Sequence, residues 1–317
     1  MTYSSGNLIQ STDYNGFVST TVGANINATW NTAYGQTALT TVAPAATITA
    51  TQWATLNSTI SSMASHQGTT ITSRANPTAG NIVSVLTNIN TDITNCYNNL
   101  ANAASSGTQY TAWTGTASQT ANTGTGGAPW TITFTDTITF ANTTAASNFF
   151  NAGGLVKIQF SKTSTGTTED TAWNAFVGTT CGAVFLSSTA ASKTINGSTY
   201  VGTTVVGGTG TPTIAASGTG YFQLTGTPAT IYKQFDSGAA YNANYVQCNA
   251  SVSGAVITIT TTWFDDGTSL NATITGGTAT TGITFGTAPT TVVTYFPPET
   301  TYLTNTWGTP TVASSVA

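Results

Sequence analysis

Apolar residues in the first third of the chain recur at the three- and four-residue spacing of a helix face. The first stretch with this spacing contains Trp53, Leu56, Ile60 and Met63. Thr49 or Thr51 is suited to the N-cap of this helix, and Gly68 is a stop signal. The pattern therefore predicts a helix between these boundaries.

A second helical stretch begins at Ile82 and has the 4-3-4-3-4 spacing of a coiled-coil seam. Its apolar residues are Ile82, Leu86, Ile89, Ile93, Cys96 and Leu100. The turn-prone segment 68–80 joins the two stretches, so we predict a helical hairpin. We assign self-association of the chain to Ile82, Leu86, Ile89, Ile93 and Leu100. Because no charges flank this seam, packing and polar contacts would have to specify the pairing.

From about residue 107 the pattern changes to the alternation that is typical of strands. Apolar residues between Trp130 and Phe140 alternate with Thr and Asp, which predicts a half-buried strand. Further strands are predicted at 155–161, 183–186, 221–224, 231–235, 245–252, 255–263 and 291–296. Ser253-Gly254 lies between two of these and predicts a tight hairpin. Many short strands with Gly and Pro between them favour an antiparallel β-sandwich or jelly roll.

These patterns predict an α+β protein with two parts. Residues 1–107 are expected to form a helical attachment and oligomerisation module, and residues 108–317 a β-sandwich domain. The segment 105–128, dense in Ser, Thr, Gly and Asn, is expected to be a linker or long loop. The tail from about 299 to 317 follows Pro297-Pro298 and is expected to run extended along a neighbouring subunit.

Charge is scarce in this chain of 317 residues. Only 4% of residues are charged, with a net charge of −4, whereas about 25% is usual. General acids, general bases and phosphate clamps draw on the missing residues, so the composition favours a structural or binding role over catalysis. The five basic residues are scattered singly, which argues against a nucleic-acid partner. Weak charge repulsion favours association, and we expect a homo-oligomer.

Targeting signals and cysteine pairs are not evident in the sequence. Residues 1–10 lack the basic and apolar regions of a secretory signal, and no stretch approaches the 18 apolar residues of a membrane span. We expect synthesis in a cytoplasm, with no export by this route and no membrane partner.

Cys96, Cys181 and Cys248 are widely separated and match neither a disulfide framework nor a metal clamp. They are expected to be buried thiols.

Residues with catalytic or metal-binding chemistry are few. His66 is the single histidine, and because no nucleophile elbow accompanies it, a cap or polar contact near the helix end is favoured. The pair Asp265-Asp266 lies in an oxygen-rich turn and is a weak Ca²⁺ candidate, but it lacks EF-hand spacing. A polysaccharide hydrolase would have to use this pair with Asp236. We predict a protein that is not an enzyme, with no catalytic residue and no cofactor.

Exposed side chains suggest two other surface functions. Thr-x-Thr steps at 131–133, 137–139 and 258–260 would suit ice binding, but a solenoid needs a fixed repeat, which these steps lack. Exposed threonine on strands is the ordinary interpretation. Trp113, Tyr241 and Trp263 could stack on sugars, so a cell-surface adhesin or glycan-binding module is the alternative function. Core or interface packing is the competing interpretation of these rings.

Several short segments resemble the virion structural proteins of marine tailed phages, particularly cyanophages. The segments that resemble their N-terminal half are Trp30–Gln36, Ile48–Leu56 and Ser62–Gly68. Those similar to their C-terminal β-region are Phe149–Gly154, Ile158–Phe160, Thr171–Trp173, Asn242–Tyr245 and Phe264–Asp266. The resemblance implies a virion component made in the host cytoplasm, with other virion proteins as partners. The adhesin alternative adds a host surface glycan as a partner. We expect a tail- or fibre-associated position first and capsid decoration second.

Overall fold

The fold is seen in a computed structural model that describes residues 10–19, 24–76, 78, 86–104, 116–120, 130–162, 168–238, 241–266 and 289–316. The helices are α1 Ser11–Val18, α2 Ala50–Gln67, α3 Leu86–Asn98, α4 Thr143–Asn151 and α5 Thr168–Ala175. Single π-helical turns cover Ala28–Ala33 and Phe176–Thr180, and a 3-10 turn covers Tyr221–Gln223. The strands are β1 Thr116–Thr120, β2 Trp130–Thr139, β3 Leu155–Ser161, β4 Ala183–Leu186, β5 Ser192–Ile195, β6 Ser198–Val201, β7 Thr203–Val206, β8 Ile214–Ala215, β9 Ala229–Phe235, β10 Tyr245–Ser253, β11 Val256–Asp265, β12 Thr290–Phe296 and β13 Thr311–Val316.

The protein is α+β, with helices before antiparallel sheets. Among the described residues, α1 to α3 precede β1, and α4 and α5 lie among the strands. One sheet has the strand order β13-β2-β11-β10-β9-β8, a second has β1-β12-β3-β4-β7, and β5 pairs with β6. None of the helices in the described ranges is both long and apolar enough to cross a membrane.

The two larger sheets contact each other through their inward side chains. The ring of Phe160 on β3 lies 5.7 Å from that of Tyr232 on β9 and 6.5 Å from that of Trp263 on β11, centroid to centroid. Trp263 Nε1 donates a hydrogen bond to Thr291 Oγ1 on β12, at 3.2 Å. Aromatic residues therefore fill the space between the sheets, and the indole N–H of Trp263 is satisfied there.

Helix α2 begins and ends at its predicted signals. Thr49 is the N-cap: its side chain accepts a hydrogen bond from Gln52 N, and Gln52 Oε1 accepts one from Thr49 N. This reciprocal pair is a capping box. Gly68 ends the helix in the left-handed conformation, with φ of 65°, which glycine adopts without steric penalty.

The seam assigned to self-association is filled by the chain's own side chains. Leu86, Ile89 and Ile93 of α3 are buried, and they belong to the same apolar cluster as α2 and the sheets. Leu100 is half-buried against this cluster, and Ile82 lies outside the described residues. Leu86, Ile89 and Ile93 therefore pack into the chain's own core, which leaves them almost no exposed surface for a coiled-coil partner.

The C-terminal tail also folds back on its own chain. Residues 311–316 form β13, which pairs with β2 and extends the six-stranded sheet. Trp307 and Leu303, which precede it, are buried in the main cluster. The expected extension along a neighbour is thus replaced by intramolecular strand pairing.

Two segments differ from their predicted secondary structure. Residues 221–223 form a 3-10 turn instead of a strand, and Tyr221 stacks on Phe150 with a centroid distance of 4.3 Å. A short apolar run does not distinguish a strand from a buried turn. Strand β1 lies inside the segment expected to be a linker, and the rest of 105–128 lies outside the described residues.

The predicted strands at 155–161, 183–186, 231–235, 245–252, 255–263 and 291–296 are confirmed, with small differences at their ends. The predicted hairpin is confirmed at β10–β11, where Gly254 has a φ of 58°. Tight hairpin turns often need this positive φ.

The N-terminal helices share one core with the sheets. Gln36 Nε2 donates to Thr304 O at 2.9 Å, and Gln36 Oε1 accepts from Thr304 N at 3.0 Å. His66 Nε2 lies 2.9 Å from Ala152 O, at the end of α4. Apolar residues from both parts of the chain form a single buried cluster. The amino-acid composition therefore changes near residue 107, but the apolar core includes residues from both sides of this boundary.

Candidate interaction surface

The outer face of the six-stranded sheet carries threonine at successive outward positions. On β2 the side chains alternate, with Ile132, Phe134 and Ile138 buried and the threonines between them turned outward. On β11 the alternation is equally regular. We call the following residues the threonine face: Thr131, Thr133, Thr135, Thr137, Thr139, Thr258, Thr260 and Thr262.

The strand register aligns these threonines into rows. Thr133 lies opposite Thr262, Thr135 opposite Thr260, and Thr137 opposite Thr258. Neighbouring strands are about 4.8 Å apart and alternate residues along one strand about 6.7 Å apart, so the hydroxyls and methyl groups form a two-dimensional array. The Thr-x-Thr steps of the sequence are therefore successive outward positions along two neighbouring strands of one sheet face.

Uncharged polar residues continue the rows on both sides. Gln247, Asn249 and Ser251 on β10 lie opposite the threonines of β11. Ser315 on β13 lies opposite Thr135. The surface can therefore form hydrogen bonds and apolar contacts across four strands, and Lys233 on β9 lies opposite Gln247 at its edge.

A strip of aromatic rings lies at one end of the threonine face. Tyr245 on β10 lies opposite Phe235 and Phe264 of its two neighbouring strands, with ring centroids 5.4 Å and 4.8 Å away. Lys233 Nζ lies 3.7 Å from the centroid of the Tyr245 ring. The Tyr245 ring thus contacts the Lys233 ammonium and stacks on Phe264. Both contacts are favourable for the quadrupole of an aromatic ring.

By contrast, the outer face of the five-stranded sheet is covered. Tyr200 of β6 packs on Phe185 of β4, with ring centroids 5.3 Å apart, and Phe296 lies 6.2 Å from Phe185. These rings form a second apolar cluster with Leu155 and Ile195. The β5–β6 hairpin therefore occupies this side of the molecule, while the threonine face is half-exposed.

Asp136 lies on the inward side of β2, beneath the threonine face. It is fully buried, and its Oδ1 accepts a hydrogen bond from Ser314 Oγ of β13. Its Oδ2 is buried and has no hydrogen-bond partner among the described residues. Burial raises the pKa of this carboxyl to about 6, although the Ser314 bond lowers it. Edge strand β13 is thus hydrogen-bonded to a carboxyl whose raised pKa favours the protonated form.

The acidic residues considered for Ca²⁺ binding and for hydrolysis do not form a group of metal ligands. Asp265 is buried, and its Oδ2 accepts hydrogen bonds from Trp173 Nε1 at 3.0 Å and Asn244 Nδ2 at 2.8 Å. Asp266 is half-buried, and its backbone N–H donates to Asn244 Oδ1. Asp236 Oδ1 accepts from Gly238 N at 2.9 Å. Within the described ranges, no three His, Cys, Asp or Glu residues form a group that could hold a metal ion.

His66 and the thiols lie in the interior. Burial lowers the pKa of His66, whose Nδ1 has no hydrogen-bond partner among the described residues, and Tyr34 packs edge-on against its ring. The three cysteines are free and buried as predicted, and burial raises the pKa of each thiol to about 12. Thiols with so little thiolate are poor nucleophiles.

The basic residues are held inside or along folded elements. Arg74 forms an ion pair with Asp92 of α3, with both side chains buried. Lys162 follows β3 directly and is buried, with its pKa lowered to about 8 by burial. The other three lie within strands, namely Lys157 in β3, Lys193 in β5 and Lys233 in β9. Burial or neighbouring structure thus restrains each of the five basic side chains.

Two of the three rings expected to stack on sugars lie in the described part of the chain. Trp263 is fully buried between the sheets, Tyr241 is half-buried, and Trp113 lies outside the described residues. A different groove, of about 480 Å³, is lined by Trp30, Gln36 and residues 300–305. The sequence pattern does not indicate this groove, because its two sides are more than 260 positions apart in the chain. Trp30 and Gln36 enter the sequence evidence only as the ends of one segment of the resemblance.

No protein-family model, curated protein or solved structure matches this chain. We therefore infer function from the surfaces and buried groups of the molecule itself.

Proposed function

We propose that this protein is a non-enzymatic structural component of the virion of a marine tailed phage, associating with itself and with other virion proteins through the threonine face. In this proposal its two sheets form a β-sandwich body, and its position is tail- or fibre-associated, with capsid decoration as the alternative. The supporting observation is the half-exposed outer sheet face, in which uncharged hydroxyl and methyl groups form aligned rows.

Salt explains why such a surface would suit a particle in seawater. At that ionic strength the Debye length falls to roughly 4 Å, so ion pairs between exposed side chains contribute little. Hydrogen bonds and buried apolar area persist under these conditions. A face of threonine, serine and amide side chains would therefore associate as well in seawater as in dilute buffer.

The state of the titratable groups favours a structural role. The Asp265 carboxylate accepts hydrogen bonds from an indole and an amide. His66 and the three thiols are buried. General acid–base catalysis needs a group that can reach a substrate within hydrogen-bond distance. These groups instead lie in the interior, away from any substrate.

Self-association is tested by adding charge to the threonine face. Thr135→Lys combined with Thr260→Lys places two cations on cross-strand neighbours at its centre. Like charges brought together across an interface cost several kcal/mol. We expect wild-type protein to form a defined oligomer by size-exclusion chromatography with light scattering, and the double variant to be monomeric.

The matched control is Thr194→Lys with Thr199→Lys, an exposed cross-strand threonine pair on the β5–β6 hairpin. This variant carries the same added charge and should assemble like wild type. A monomeric wild type, or equal assembly of both variants, would contradict the proposal.

Whether the protein is part of the virion is tested separately, by mass spectrometry of purified particles of a phage whose genome encodes the chain. Chymotrypsin is the suitable protease, because tyrosine and phenylalanine are frequent and lysine and arginine are rare. We expect peptides at a ratio to the capsid protein that stays constant through gradient purification. Loss of the peptides during purification would place the protein outside the particle.

A further inference from the structure

The groove between residues 30–36 and 300–305 has the composition of a carbohydrate site. Its eight lining residues are Trp30, Gln36, Thr300, Thr301, Tyr302, Leu303, Thr304 and Asn305, none of which is charged. Its volume of about 480 Å³ lies in the usual range for small-molecule pockets. Aromatic rings combined with hydroxyl and amide groups match the alternating apolar faces and hydroxyls of a sugar ring.

The walls of this groove are fixed by internal hydrogen bonds. Gln36 bonds both the carbonyl and the amide of Thr304, and Thr306 Oγ1 donates to Tyr34 O at 2.6 Å. These contacts join the two sides of the groove, although they are far apart in sequence. A preorganised site loses less conformational entropy when a ligand binds.

The two aromatic side chains are positioned differently. Trp30 is half-buried, and its Nε1 donates to Thr37 O at 3.1 Å, which fixes the plane of the indole. Tyr302 is 36% exposed. Leu303, between the threonines, is buried in the main cluster and anchors this wall. One fixed ring and one exposed ring can therefore contact a ligand in the groove.

Hydrogen-bonding groups on the groove are exposed. Thr300, Thr301 and Thr304 are exposed; the Thr301 hydroxyl donates to Glu299 Oε1, so toward a ligand it is an acceptor. Asn305 is also exposed, and its Oδ1 accepts from Gly308 N at 2.8 Å. The Nδ2 group of Asn305 then remains as a donor toward a ligand. Such groups serve neutral hydroxyls, whereas a sulfated or carboxylated sugar would require a cation, which the lining lacks.

We propose that this groove binds a neutral saccharide, by stacking on Trp30 and Tyr302 and by hydrogen bonds to the hydroxyls of Thr300, Thr301 and Thr304 and to the amide of Asn305. This site is separate from the threonine face and does not depend on self-association. The sugar-binding test can therefore fail while the self-association test succeeds, and self-association can fail while sugar binding succeeds.

The test uses the full chain and a panel of neutral methyl glycosides and their short oligomers, with glucuronic acid as the acidic comparison. Saturation-transfer NMR detects binding, and calorimetric titration measures affinity. We expect binding of at least one neutral sugar, with affinity unchanged between low salt and seawater salt because no ion pair is involved.

Two variants locate the site. Tyr302→Ala removes an exposed ring, and we expect affinity to fall about tenfold or more. Trp30→Ala should do the same, but because Trp30 is half-buried, its fold is checked by circular dichroism. Tyr97→Ala, a 44% exposed ring on α3, is the control and should bind like wild type.

The proposal is overturned if no neutral sugar binds, or if Tyr302→Ala binds as tightly as wild type. Preferential binding of glucuronic acid that weakens with salt would also overturn it, because it would indicate a cationic site elsewhere.

Discussion

Asp136 shows how one residue can make the stability of the sheet depend on pH. Its buried carboxyl is attached to Ser314 of the edge strand, and its pKa is raised from 3.8 to about 6. The folded pKa lies above the unfolded one, so the protonated form is stabilised by folding. This contribution is complete below about pH 3.8 and is lost as pH rises through about 6.

We therefore expect Asp136→Asn to be more favourable at high pH than at low pH. The amide has a similar size and never ionises, so at pH 8 it avoids the buried charge. Relative to wild type, its free energy of unfolding should improve by about 1–3 kcal/mol between pH 4 and pH 8. Urea unfolding at several pH values measures this.

The control for Asp136→Asn is Thr135→Asn, which changes the outward neighbour on the same strand. Its effect on the free energy of unfolding should not vary with pH. An Asp136→Asn effect that is equally constant would show that the Asp136 carboxyl ionises normally.

At the scale of elements, local signals set the boundaries of α2. Thr49 and Thr51 are both suitable N-caps by sequence, and the structure selects Thr49 through its reciprocal bonds with Gln52. We expect Thr49→Ala to lower the free energy of unfolding by about 1 kcal/mol. Thr51→Ala is the matched substitution and should change it little, because residue 51 lies inside the helix on its exposed side. Chemical denaturation compares the two variants; equal losses would contradict the cap assignment.

Elements whose signals are local could be predicted from the sequence. The bounds of β3 and β4 agree with the predicted 155–161 and 183–186, and the β10–β11 hairpin forms at its predicted glycine. In these cases alternation and turn chemistry act over fewer than ten residues.

What an element packs against could not be predicted in the same way. The spacing of Leu86, Ile89 and Ile93 defines an apolar face, but the same spacing serves a coiled coil or an internal core. The pairing of β13 with β2 joins residues about 176 positions apart, and the groove at Trp30 combines segments even farther apart. The rows of threonine depended on strand register, which periodicity alone does not set.

At the scale of the whole molecule, the shared core predicts cooperative unfolding. Side chains of α3 and of both larger sheets belong to one buried cluster. We expect a single calorimetric transition for the full chain, instead of one for residues 1–107 and another for 108–317. Two separated transitions would contradict this.

A substitution in the helices tests the same coupling. Ile93→Ala should lower stability by about 2–5 kcal/mol, as large-to-small changes in cores do. Because the core is continuous, the far-ultraviolet signal of the helices and the near-ultraviolet signal of the buried tryptophans should shift together. A shift of the helical signal alone would indicate two independently folding units.

The positions of the basic residues have a consequence for the lifetime of the protein outside a cell. Proteases of the trypsin type cut after lysine or arginine, and they need an extended, accessible stretch of backbone around the bond. Here Arg74 is paired with Asp92, Lys162 is buried, and the other three lie within strands. Cleavage at these positions requires local unfolding first. The same scarcity of charge that shapes the threonine face thus leaves digestive enzymes of this class few bonds to attack.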